Sequence, residues 1–101
     1  MKQILIICAL ALCVAAPKTA TAQSHCYVDY KAKRSDGGSL QLHYGVMKLN
    51  SAACASATNR ARAVSGRISA GGWALLRVMS TFDDGGLQQR RGNAGRYYLK
   101  Y

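Results

Sequence analysis

The sequence predicts a small α+β domain of order β-β-α-β-β. It would be a mainly antiparallel four-stranded sheet with one helix packed on one face and one disulfide. Three observations carry that expectation. Two alternating runs flank a Gly-rich turn, an apolar stripe at helical spacing follows, and alternation then returns twice before Tyr101.

The first strand is read from Cys26 to Arg34. Cys26, Val28, Tyr30 and Ala32 point one way, and Tyr27, Asp29, Lys31 and Lys33 the other. Ser35-Asp36-Gly37-Gly38 is a turn, because Asp bonds its own backbone and Gly accepts positive φ. In the second strand Leu40, Leu42, Tyr44 and Val46 alternate with Gln41, His43, Gly45 and Met47, completing a hairpin.

From residue 51 the period changes. Cys54, Ala57, Ala61, Val64 and Ile68 are three or four residues apart and form one continuous helical stripe. Asn50 or Ser51 can cap its start, and Gly71-Gly72 stop it. The third strand, Trp73 to Phe82, is apolar on both faces, which suits a central or doubly covered strand. A polar loop from Asp83 to about Gly95 leads to a fourth strand, Arg96 to Tyr101, in which Tyr97, Leu99 and Tyr101 alternate with Arg96, Tyr98 and Lys100.

Ahead of these elements, residues 1–22 read as a cleavable signal peptide. Lys2 supplies a positive start, and Ile4 through Ala16 is an uncharged apolar run, short of the about 20 residues needed to span a bilayer core. Pro17 breaks it, and Ala20-Thr21-Ala22 is a small-x-small site for signal peptidase. Residues 23–101 are then a single exported domain, periplasmic or extracellular, without a transmembrane segment. Lys2 and Lys18 leave with the leader, so the formal charge falls from +10 to +8.

A domain this small is marginally stable without a staple. Cys8 and Cys13 lie in the leader, which leaves Cys26 and Cys54 as an isolated pair in an oxidising compartment. Both belong to the core-facing sets of their elements, and a Cys26–Cys54 disulfide is expected. There is no C-x-x-C motif, and two cysteines are too few for a structural zinc site.

The catalytic inventory is thin, and no cofactor or metal is expected. The acids are Asp29, Asp36, Asp83 and Asp84, with no Glu, and three of the four sit in turn sequences beside Gly. His25 and His43 are the only imidazoles, and no G-x-S-x-G is present. A secreted basic ribonuclease would need an acid–base pair and a cation, for which His43, Asp29 and Arg77 on one sheet face are the candidates.

The basic face carries the leading expectation. If the helix covers the even-numbered side of the first two strands, the open side holds Tyr27, Lys31, Lys33, Gln41 and His43. The later strands add Arg77, Arg96, Tyr98 and Lys100. Cations interleaved with tyrosines suit an anionic polymer, since cations release counterions and rings stack on bases or sugars. A solvated, solubilising face is the plainer alternative. The expected function is therefore a non-catalytic exported binding module for an anionic ligand or envelope surface. The alternatives are a nucleic-acid-directed enzyme or toxin, and a structural or inhibitory protein that docks on a protein partner through Trp73, Leu75 and Met79.

Overall fold

The structure, a computed structural model, describes residues 25–101. The expected leader at 1–22 and its cleavage site lie outside the described residues.

Strands β1 (His25–Asp36) and β2 (Ser39–Asn50) form a long antiparallel hairpin. Its two-residue loop is Gly37-Gly38, with φ of 63° and 91°. A tight hairpin of this kind needs positive φ at both central positions, which glycine supplies without a Cβ penalty. Nothing lies within 4 Å of a Cβ built at either position, so conformation and not space selects glycine there.

The predicted continuous helix is two helices. Helix α1 (Ser51–Cys54) is capped by Asn50, whose side chain accepts from the Ala53 amide at 2.9 Å. The chain then turns at Ser56, which is extended and caps α2 (Ala57–Ser69) by accepting from Asn59 N at 3.0 Å. Side chains from α2 reach back to carbonyls of α1: Arg60 Nη1 donates to Cys54 O at 2.8 Å, and Asn59 Nδ2 donates at 3.2 Å to Ala52 O, which also accepts from the Ala55 amide. Gly72, at φ 82°, follows the end of α2, as the Gly-Gly stop implied.

Val64 and Ile68 of α2 are fully buried against Val28, Tyr30 and Ala32 of β1 and Met47 and Leu49 of β2. Cys26 and Cys54 are bonded at the same interface, with Cα atoms 6.1 Å apart. The disulfide thus ties the start of β1 to the end of α1.

Strand β3 (Ala74–Phe82) pairs antiparallel with β1, so the sheet order is β2-β1-β3 and β1, not β3, is central. The β1–β3 register shifts twice, leaving Met79 and Leu76 as extra residues on β3. These bulges explain why β3 reads as apolar on both faces: a strict alternation cannot be drawn through it.

The fourth strand is absent. After β3 come a 3₁₀ turn (Asp84–Gly86), helix α3 (Gln88–Ala94) and a second 3₁₀ turn (Gly95–Tyr97). Gly95 and Leu99 take positive φ of 52° and 54°, which interrupts any extended run. All that remains of strand pairing is one parallel bridge between Tyr98 and Val46, with Leu99 N donating to Val46 O at 2.9 Å. The tyrosine alternation serves packing instead: Tyr97 and Tyr101 lie against the main core.

Candidate functional site

The hairpin loop fixes which residues share a face. Asp36 opposes Ser39, so even-numbered residues of β1 stand opposite odd-numbered residues of β2 throughout. Directly opposed residues project from the same side of a sheet. The α2-covered face therefore carries Tyr30, Ala32 and Arg34 with Gly45, His43 and Gln41. The other face carries Tyr27, Asp29, Lys31, Lys33 and Ser35 of β1 beside Lys48, Val46, Tyr44, Leu42 and Leu40 of β2. From β3 it gains Phe82, Ser80, Arg77 and Ala74, opposite Tyr27, Asp29, Lys31 and Lys33.

His43 consequently lies on the opposite face from Lys31 and Lys33, and it is 7% exposed. Its ring is stacked on Tyr97 with centroids 3.7 Å apart, meets Trp73 edge-on, and its Nε2 is 2.9 Å from the Tyr30 hydroxyl. Burial, reinforced by the nearby positive charge of Arg34, pushes its pKa down to about 4, so the imidazole is neutral at pH 7. Its Nδ1 has no hydrogen-bond partner among the described residues. Gln41 is on the same side, accepting from Arg34 Nη2 at 3.0 Å, while the Arg34 guanidinium stacks 4.2 Å from the Trp73 ring centre.

The face away from α2 divides in two. Its Tyr27–Asp29 half is closed. Asp29 accepts from Ser80 Oγ at 2.6 Å, Tyr44 Oη at 2.8 Å and Arg90 Nε at 3.0 Å, which brings α3 onto the sheet. Burial pushes the Asp29 carboxyl up, but these hydrogen bonds outweigh it and hold its pKa below the ordinary carboxylate value. Burial and the Asp29 bond raise the Tyr44 phenol to about 12. Tyr27 is buried, stacked on Phe82 at 6.0 Å.

The half towards the hairpin loop is open. Lys31 stands opposite Arg77, with Lys33 two residues along the same strand, and all three are exposed. Among the described residues the ion pairs are His25–Asp84 and Arg90–Asp29, so no carboxylate neutralises these three cations. Like charges directly opposed across strands are destabilising, which makes the grouping costly to keep for packing alone. Leu42 and Leu76 flank the cations and, with Lys31, Ala32, His43 and Tyr44, line a groove of about 250 Å³.

The remaining predicted binding residues are placed elsewhere. Arg96, in the second 3₁₀ turn, sits over the Tyr97 ring at 5.6 Å. Tyr98 bridges to β2, and Lys100 lies 5.6 Å over Tyr101. Trp73 is 4% exposed, Leu75 packs on the core, and of the proposed protein-docking trio only Met79 is exposed. The structure thus gathers Lys31, Lys33 and Arg77 and disperses the others.

Sequence reasoning missed the leucines, having placed Leu40 and Leu42 on the buried side. The signal was available in Gly37-Gly38: a two-residue loop pairs each even position with an odd one. Arg90 was missed because α3 has a single buried residue, Ala94, and no apolar stripe.

Among the described residues no group of three or more His, Cys, Asp or Glu could hold a metal ion, and no helix is long and apolar enough to cross a membrane. Compared with known proteins, the chain matches no family model, no curated relative and no solved structure.

Proposed function

We propose that this chain is an exported, non-catalytic binding module for an anionic ligand or envelope surface. The observation that carries the reading is the Lys31–Arg77 cross-strand pair with Lys33 beside it, on the open half of the sheet face. Asp29 of that face is paired with Arg90 and, among the described residues, no carboxylate pairs with the three cations. An anion placed between these cations removes their mutual repulsion and releases counterions. Export rests on the leader at 1–22, and the Cys26–Cys54 bond is consistent with an oxidising compartment.

The nuclease reading is the weaker one. It needs His43, Asp29 and Arg77 on one face, whereas His43 is buried on the other and all three donors around Asp29 are structural side chains.

Salt-dependent binding tests the proposal. On single-stranded nucleic acid, used as a soluble polyanion probe, three neutralised phosphates give a log–log salt slope of about −2. Lys31→Glu is expected to flatten that slope, and Arg62→Glu on the exposed side of α2 to leave it nearly unchanged. Equal effects at the two positions would mean that net charge, and not this face, attracts the polyanion.

A further inference from the structure

We propose that the open half of this face docks on an anionic lipid bilayer, with Leu40, Leu42 and Leu76 entering the interface and Lys31, Lys33 and Arg77 meeting the headgroups. The inference rests on the anion-binding reading above and names its ligand.

Single exposed leucines are ordinary on a protein surface. Here three gather at one end of one sheet. Leu40 and Leu42 are each 64% exposed and Leu76 48%. The β1–β2 pairing runs on to Asp36–Ser39, whereas β1–β3 pairing ends at Lys33–Ala74. The hairpin therefore projects past β3 and carries Leu40 at its outer end. The bulge at Leu76 adds a third leucine, which shares the groove with Leu42.

The charge pattern selects the occupant. Lys and Arg stems lie along apolar surface while their heads reach a polar layer, the arrangement an amphipathic surface uses at an acidic leaflet. A second copy of this chain would set these three cations against themselves. Nucleic acid would favour exposed rings, yet Tyr27 is buried, the half-buried Tyr98 ring carries the Arg91 guanidinium 5.6 Å over it, and Tyr44 is half-buried with its hydroxyl tied to Asp29. Beside its cations the open half exposes mainly aliphatic surface, Leu40, Leu42 and Leu76, with Tyr44 half-buried among them.

The test uses the oxidised protein and sedimentation with vesicles of phosphatidylcholine, with or without phosphatidylglycerol. Binding is expected only with the acidic lipid. Lys31→Gln and Arg77→Gln should each reduce partitioning about five-fold, and Arg62→Gln by much less. The pair Leu42→Ser and Leu76→Ser, at exposed positions, should reduce vesicle binding at least about ten-fold while leaving binding to a soluble polyanion unchanged. Circular dichroism confirms that each variant is folded. Wild-type vesicle binding by the leucine variant, or tighter binding to single-stranded nucleic acid than to acidic vesicles, overturns the membrane proposal but leaves anion binding standing. Indifference of both ligands to Lys31 and Arg77 overturns the anion-binding reading itself.

Discussion

Asp29 of β1 and Arg90 of α3 form an ion pair, Nε to Oδ2 at 3.0 Å, across the face of the sheet that α2 leaves uncovered. The Arg90 guanidinium also lies 3.9 Å over the Phe82 ring, and its Nη1 donates to Gly86 O at 2.7 Å. Since α3 buries only Ala94, this side chain supplies its polar attachment to β1. Removing one partner of a well-buried pair costs about 3–5 kcal/mol, and Arg90 is partly exposed, so Arg90→Ala is expected to cost roughly 2–3 kcal/mol in urea unfolding. Amide exchange in α3 should accelerate at the same time. An unchanged urea midpoint would show that the pair contributes nothing net.

The same carboxylate sets an acid limit. Its folded pKa is lower than its unfolded value, so its stabilisation is complete above the ordinary carboxylate pKa and is lost as pH falls through the lowered one. Asp29→Asn should be less stable than wild type at pH 7, and the two should converge at strongly acid pH. A constant gap would refute the linkage.

His43 acts in a separate and higher window. Its folded pKa is about 4, below the ordinary 6.5, so the unfolded chain binds the proton first as pH falls. Stability from the neutral ring is complete above about pH 6.5, declines between 6.5 and 4, and levels off below. Each pKa unit corresponds to about 1.4 kcal/mol. His43→Gln should be destabilised at neutral pH by lost ring packing, yet it should show no such decline. Urea midpoints across this range read the difference, and parallel curves for the two proteins would sink the assignment.

Gly45 stands opposite Tyr30, and a Cβ there would meet the Tyr30 hydroxyl and ring, Cζ at 2.6 Å and Cε1 at 2.9 Å. Tyr30 is fully buried and its hydroxyl meets His43, so the ring has little room to retreat. Gly45→Ala is expected to cost on the order of 1–3 kcal/mol through overpacking, despite a better strand propensity. Gly66→Ala is the control, since nothing lies within 4 Å of its added carbon and it sits inside α2, where alanine is the better helix former. A neutral Gly45→Ala would mean that the sheet yields there.

Reduction of Cys26–Cys54 frees a loop whose ends are 28 residues apart in sequence. The chain-entropy estimate is about 3–4 kcal/mol, a large share of a small domain's stability. Urea unfolding with and without a reductant should show a loss of that order. No shift in midpoint would remove the disulfide from the account of stability.

Local patterns were legible where a single element decides them. Alternation located all three strands of the sheet, the spacing of Val64 and Ile68 identified the buried side of α2, and cysteine arithmetic paired Cys26 with Cys54. The break at Ser56 was less visible, because Ser is both a tolerable helix residue and a good cap, and only its extended backbone distinguishes the two. At Arg96–Tyr101 the period-two pattern misled, since aromatic residues spaced for a strand instead reach back to His43 and the core from an irregular segment.

The sequence by itself determined the hairpin, the helix face, the disulfide partners and the excess of positive charge, because each depends on neighbours along the chain or on a count. Only the tertiary structure decided that His43 is buried, that β1 is central, that α3 closes the Tyr27–Asp29 half and that Lys31, Lys33 and Arg77 share the open half with three leucines. Those outcomes depend on register. In a pleated sheet a shift of one residue moves every side chain to the opposite face, so the same residues make either a core or a binding surface.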